Sequence, residues 1–209
     1  MIDSRLAVPA FIFLLTACGP SQGSSASAYV PRSGDIIFHT SRSSQSVAIQ
    51  RATHSPYSHM GIVYVEEGQP FVYEAIQPVR LTRLEDWERR GEGGHFVVKR
   101  LRDADRLLTA GNLSRMKAEG KKFQGRNYDL YFERSDDRMY CSELVWKIYY
   151  RALGIEIGRT QMLGDFDLSD PAVIRKMKER WKGSIPLNET VISPAAMFES
   201  NQLITVYSH

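Results

Sequence analysis

The chain has 209 residues, 43% of them apolar and 24% charged, which suits one domain with a substantial core and excludes a disordered tail, a collagen or a coiled coil. Its 27 basic and 24 acidic side chains leave a net charge of +3. That is a small surplus rather than a basic stripe, so no nucleic-acid partner is expected.

In chain order, Met1–Arg5, the apolar run Leu6–Leu15 and Thr16-Ala17-Cys18 read as the n-region, h-region and cleavage site of a signal peptide over residues 1–17. The apolar run is well short of the roughly 20 residues needed to span a bilayer. Leu15-Thr16-Ala17-Cys18 resembles the lipobox of bacterial lipoproteins, which implies lipidation of Cys18 and a membrane anchor there. The alternative is an ordinary signal peptide cut nearby, with Cys18 left as a free thiol. The lipobox reading makes the protein a secreted, periplasm-facing lipoprotein, and Gly19 after the cysteine favours the outer membrane by the same resemblance. Residues 18–30, rich in Ser, Gly and Ala, read as a flexible tether, and 31–209 as the folded domain. With Cys18 lipidated, Cys141 is the only remaining thiol and has no intramolecular disulfide partner.

Pro31–Asp35 is turn chemistry ahead of a short buried strand, Ile36-Ile37-Phe38, and a modest helix is expected over Ser43–Ala52. Pro56 makes 54–58 a loop. His59–Val65 and Phe71–Ala75, joined across Glu66–Pro70, read as a β-hairpin. A strand over Phe96–Leu101 and one amphipathic helix over Ala104–Phe123 follow. Cys141, Leu144, Val145, Ile148 and Ala152 then form one apolar helical face that ends at Gly154. Asp170-Pro171 and Ser193-Pro194 are cap-then-proline helix starts, and Leu203–Tyr207 is a closing strand. Strands and helices in this order, without regular βαβ alternation, indicate an α+β domain.

Cys141 falls in the first turn of its helix, where partially positive amides stabilise a thiolate and can hold an oxyanion. The competing reading is a small core residue on an apolar face. Among five histidines, His59 stands out because it opens a strongly apolar strand, although a lone histidine is more often structural. If Glu67-Gly68 is a two-residue turn, Gly61 lies opposite Glu74, and Glu74 sits one diagonal step from His59 on the same face. A slip of one residue would send Glu74 to the other face, where it would be a solvent-facing strand residue. A metal site from His54, His59 and Cys141 has no dense ligand motif behind it, and no metal or other cofactor is expected. Tyr57, Tyr128 and Tyr140 are the aromatic candidates for a substrate groove, against a simple packing role.

Gly34–Phe38, Ser58–Val63, Tyr73-Glu74-Ala75 and Tyr140–Trp146 together resemble the YiiX/YebB-like branch of the NlpC-type papain-like hydrolases. The likeness extends through Thr40–Ser46, Ser135–Arg138, Phe166–Ser169, Ile185–Leu187 and Glu189–Val191. It implies a circularly permuted papain-like fold in which the histidine strand precedes the cysteine helix. It further implies Cys141 as nucleophile, His59 as general base and then acid, and Glu74 as the residue that orients the histidine. The chemistry is then acyl transfer through an acyl-enzyme. Three uses follow: an envelope amidase or endopeptidase acting on murein peptides, a lipid acyl hydrolase or acyltransferase acting on phospholipid esters, or a non-catalytic lipoprotein that binds an envelope partner in the same groove. Oligomeric state is not legible.

Overall fold

A computed structural model describes residues 29–209. The signal peptide expected over 1–17, Cys18 and most of the expected tether lie outside the described residues. The chain runs through β1 (Ile36–His39), α1 (Ser46–Thr53), β2 (His59–Glu66), β3 (Gln69–Glu74), β4 (Arg80–Arg83) and α2 (Leu84–Glu88). It continues through β5 (Val97–Leu101), α3 (Ala104–Leu107), α4 (Ala110–Lys121), β6 (Asn127–Tyr128), β7 (Arg138–Met139) and α5 (Cys141–Leu153). It ends with β8 (Gln161–Met162), α6 (Pro171–Arg180), β9 (Thr190–Val191), α7 (Pro194–Phe198) and β10 (Leu203–Ser208).

Six strands form one sheet in the order β10-β5-β1-β2-β3-β4, and every neighbouring pair in it is antiparallel. The period-2 alternation of the central strands divides the core. Ile36, Phe38, Met60, Ile62 and Tyr64 point to the face covered by α5, where Leu144, Val145, Ile148 and Tyr149 pack. Ile37, Val63, Val72 and Val98 point the other way, onto Leu84, Trp87 and Phe96. Asp35, fully buried just before β1, is held by Arg100 through Nε at 2.6 Å and Nη2 at 2.8 Å, and by the Tyr29 hydroxyl at 2.7 Å. This bidentate pair ties the start of β1 to β5.

The hairpin has the expected register. Glu66 pairs with Gln69 and Ile62 with Tyr73, because Glu67 and Gly68 both take positive φ, 50° and 80°, in a two-residue turn. The cap-then-proline starts also form as expected: Asp170 accepts from the Ala172 amide and Ser193 from the Ala196 amide. The single helix expected over 104–123 is instead two. Leu108 leaves the helical region at φ −93°, ψ 51°, and Thr109 becomes a new N-cap, its hydroxyl accepting from the Asn112 amide. Apolar periodicity continued across the break because Leu107 and Leu108 both pack on the same core. Sequence periodicity also missed β4 and α2, and these two elements prove important for the site.

Candidate active site

Glu74 closes β3, flanked by β2 and β4. The hairpin register carried one residue past Ile62–Tyr73 sets Gly61 opposite Glu74, and Glu74 itself pairs with Arg80. His59 and Thr82 are therefore the diagonal neighbours of Glu74 on its two sides, on the same face. Glycine at 61 keeps that face open, since a Cβ there would lie 3.3 Å from the Glu74 Cβ and 2.5 Å from Val72 Cγ1.

The Glu74 carboxylate has no solvent exposure and accepts three hydrogen bonds. His59 Nε2 lies 2.6 Å from Oε2, the Thr82 hydroxyl donates to Oε1 at 2.5 Å, and an Arg90 Nη2 donates to the same oxygen. Burial alone would raise the carboxyl's pKa, but the hydrogen bond and charge of His59, then Arg90 and Thr82, outweigh it and hold Glu74 below the usual carboxylate range.

With Nε2 committed to Glu74, Nδ1 is the ring atom left for another partner. Cys141, the first residue of α5, lies on that side, near enough to act on the His59 ring electrostatically. The helix packs on the opposite face of the sheet, so the thiol reaches His59 around the end of β2, where His59 is the first strand residue. Burial disfavours the imidazolium. Cys141 beside the ring, and the hydrogen bond and charge of Glu74, overcome that penalty and raise the His59 pKa to about 9. No side chain caps the α5 N-terminus at Tyr140, which leaves the first-turn amides free to receive an oxyanion.

The cysteine and the histidine open onto different cavities. Cys141 borders an apolar slot of about 90 Å³ walled by Phe132, Leu163, Phe166 and Val191. His59 borders a larger groove of about 720 Å³ with a mixed lining, apolar at Ile76 and Leu130 and basic at Arg42, Arg89 and Arg90. Tyr128 lines both. Its hydroxyl accepts from Gln45 Nε2 at 2.8 Å, and burial together with the charge at Cys141 raises its pKa well above the ordinary value. Tyr140 also borders the slot, but its hydroxyl is spent accepting from the Ile192 amide at 3.1 Å. Tyr57 stacks on Phe198 at 4.1 Å between ring centroids and borders neither cavity.

Four residues of this neighbourhood were not singled out from the sequence as site residues. Arg90 and Thr82 come from the unread β4–α2 segment, and Gln45 lies just ahead of α1. His39, aligned across the sheet from His59 and stacked on Trp87 at 3.9 Å, gives only the weak signal of a histidine ending a strand. Burial, helped by His59 and Arg90, lowers its pKa to about 2, so His39 stays neutral beside a charged His59.

A papain-like arrangement is defined by a thiol at a helix start, a strand-borne imidazole and an acceptor behind it. Residues 30–207 match the family model described as "Permuted papain-like amidase enzyme, YaeF/YiiX, C92 family", and the chain belongs to that family. Its fold is accordingly the permuted papain-like one, with the histidine strand ahead of the cysteine helix. The chain is 48% identical over 179 residues to the protein named "Uncharacterized protein YiiX" of Escherichia coli K12, covering 86% of this chain and 87% of the relative. It is similar, with a TM-score of 0.83 and 48% identity, to a solved crystal structure described as that of the metalloprotein yiiX from Escherichia coli O157:H7. The match covers 87% of this chain and 99% of that one.

That description prompts a test of whether the residues here fit a metal. Among the described residues no group of three or more His, Cys, Asp or Glu side chains is arranged to hold an ion. His59 and Glu74 are turned on each other, and the unpaired Nδ1 of His39 faces the backbone at Gly91 rather than a second ligand. A resident metal does not fit this site, and no step of the chemistry below passes through one.

Proposed function

We propose that this protein is a cell-envelope cysteine amidase that cleaves amide bonds of murein peptides, with Cys141 as nucleophile, His59 as base and acid, and Glu74 as the residue that orients His59. The observation that carries the reading is the buried Glu74–His59 hydrogen bond of 2.6 Å, with Cys141 at the start of α5 near the same ring. The thiolate attacks the carbonyl carbon, and the first-turn amides of α5 receive the oxyanion. His59 then gives its proton to the leaving nitrogen as the C–N bond breaks, leaving a thioester on Cys141. Water, deprotonated by His59, hydrolyses the thioester and restores thiolate and imidazolium. Glu74 keeps the Nε2–H tautomer throughout, so that Nδ1 faces the chemistry. The envelope location rests on the leader over 1–17 and on the anchor expected at Cys18.

One observation favours a second reading. The slot beside Cys141 is almost wholly apolar, which suits the acyl chain of a phospholipid ester as well as an apolar residue of a peptide. The test is mass spectrometry of products after incubating the full chain separately with murein peptides and with phospholipid vesicles, using Cys141→Ala as control. Cys141-dependent peptide cleavage supports the amidase. Released fatty acid, or an acylated Cys141, supports the lipid hydrolase. A Cys141 that alkylates slowly and gives no product would move the non-catalytic binding reading to the front.

A further inference from the structure

The two cavities give the site a direction. Cys141 keeps the acyl half of a cleaved substrate, and Cys141 borders the apolar slot. His59 protonates the departing half, and His59 borders the larger, arginine-bearing groove. The leaving group therefore occupies the groove.

The groove is lined by Arg42, Arg89 and Arg90, and no Asp or Glu side chain lines it among the described residues. Arg89 is paired with Asp86 outside the groove, and Arg90 spends one Nη2 on Glu74. Arg42 is exposed and forms no ion pair among the described residues. On the same bank, Ser43, Ser44 and Gln45 lead into α1, whose N-terminus has neither a side-chain cap nor an acidic residue in its first turn. The Ser46 amide at this end donates to the Ser43 carbonyl at 3.0 Å and no residue of α1 itself lines the groove, so the helix end adds only its partial positive charge. His39 also borders the groove, but it is 2% exposed, its Nδ1 faces the Gly91 backbone and its ring is uncharged, so it adds no cation of its own.

We infer that this groove is an anion subsite that selects substrates whose leaving amine bears a carboxylate, with Arg42 as its principal specificity residue and Arg90 contributing its remaining guanidinium donors. This deepens the hydrolase reading and rests on it for the direction of binding. A guanidinium recognises a carboxylate by charge-assisted hydrogen bonds, and the same chemistry would accept a phosphate. An amino acid leaving from its amide bond presents such a carboxylate one carbon away from the scissile nitrogen.

Two measurements test this independently. In the first, calorimetry follows glutarate and inorganic phosphate binding to the full chain carrying Cys141→Ala, with and without Arg42→Ala or Arg42→Lys. Saturable glutarate binding that Arg42→Ala weakens about tenfold, with partial retention in Arg42→Lys, supports the subsite. Binding of phosphate in preference to glutarate would overturn the assignment to a carboxylate, and absence of Arg42-dependent binding of either would overturn the subsite. In the second, kcat/KM is compared for two peptides that differ only in whether the leaving amino acid carries a free carboxylate or a carboxamide. A preference of about tenfold for the acid that collapses in Arg42→Ala supports the inference, and equal rates overturn it. Arg42-dependent glutarate binding without turnover of any peptide would leave the subsite standing and sink the amidase reading instead. Turnover without acid preference does the reverse.

Discussion

Replacing Glu74 by Gln changes the site without changing its shape. The carboxylate accepts from three donors in a place closed to water: His59 on one oxygen, Thr82 and Arg90 on the other. An amide has only one acceptor oxygen. If that oxygen stays on the Thr82 and Arg90 side, the new NH₂ meets His59 Nε2 and turns it from donor to acceptor. The ring proton then moves to Nδ1, the atom that must take the proton from Cys141. The loss comprises a charge-assisted hydrogen bond worth about 1.5–3 kcal/mol and the mismatch of a buried polar group, about 1–3 kcal/mol. Together these come to roughly 4 kcal/mol, or about a thousandfold in rate. Peptide hydrolysis by Glu74→Gln should therefore fall about a thousandfold in kcat. Alkylation of Cys141 by iodoacetamide, which needs no knowledge of the substrate, should slow in parallel at neutral pH. The reasoning is refuted if both rates stay within about tenfold of the parent while thermal unfolding shows the variant folded.

Further outcomes follow from the same geometry. Acylation needs the His59 proton for the leaving group, so its rate should hold through neutrality and fall above about pH 9 as the imidazolium titrates; an alkaline limb near the ordinary 6.5 would show that Cys141 and Glu74 do not hold that charge. Cys141→Ala should abolish turnover with little loss of stability by calorimetry, and residual activity would require a different nucleophile. In Gly61→Ala the new Cβ meets Val72 Cγ1 at 2.5 Å and the Tyr73 carbonyl oxygen at 2.8 Å, which should cost about 1–3 kcal/mol in urea unfolding. Its Glu74 contact should loosen as well, so unchanged stability together with unchanged activity would contradict the register. Asp35→Ala leaves the mostly buried Arg100 without its carboxylate and should destabilise by about 3–5 kcal/mol, whereas a loss under about 1 kcal/mol would show that the pair contributes little.

What could be read from the sequence was set by how local each determinant is. The hairpin register follows from one dipeptide: with Glu67 and Gly68 both at positive φ, the turn is two residues long and every pairing on to Gly61–Glu74 follows. His59 and Glu74, 15 residues apart in the chain, are thus brought together by a determinant lying between them. Cys141 was legible for a similar reason, because the apolar face of α5 and the Gly154 stop place it at the helix start without reference to the rest of the fold. The break at Leu108 was not legible, since Leu107 and Leu108 both pack on the core that a continuous helix would also have served. Arg90 and Thr82 were not legible either. They reach Glu74 only because β4 pairs with β3, and neither the four residues of β4 nor the five of α2 are long enough to show a period. Arg180 holds Gln45 across 135 residues of sequence, and no spacing rule connects such positions. The boundary between the two groups has a physical basis. The residues proposed to do the chemistry sit where secondary structure is defined by its own turn or cap. Those that steady or surround them arrive through tertiary pairing, which becomes visible only when the sheet is assembled.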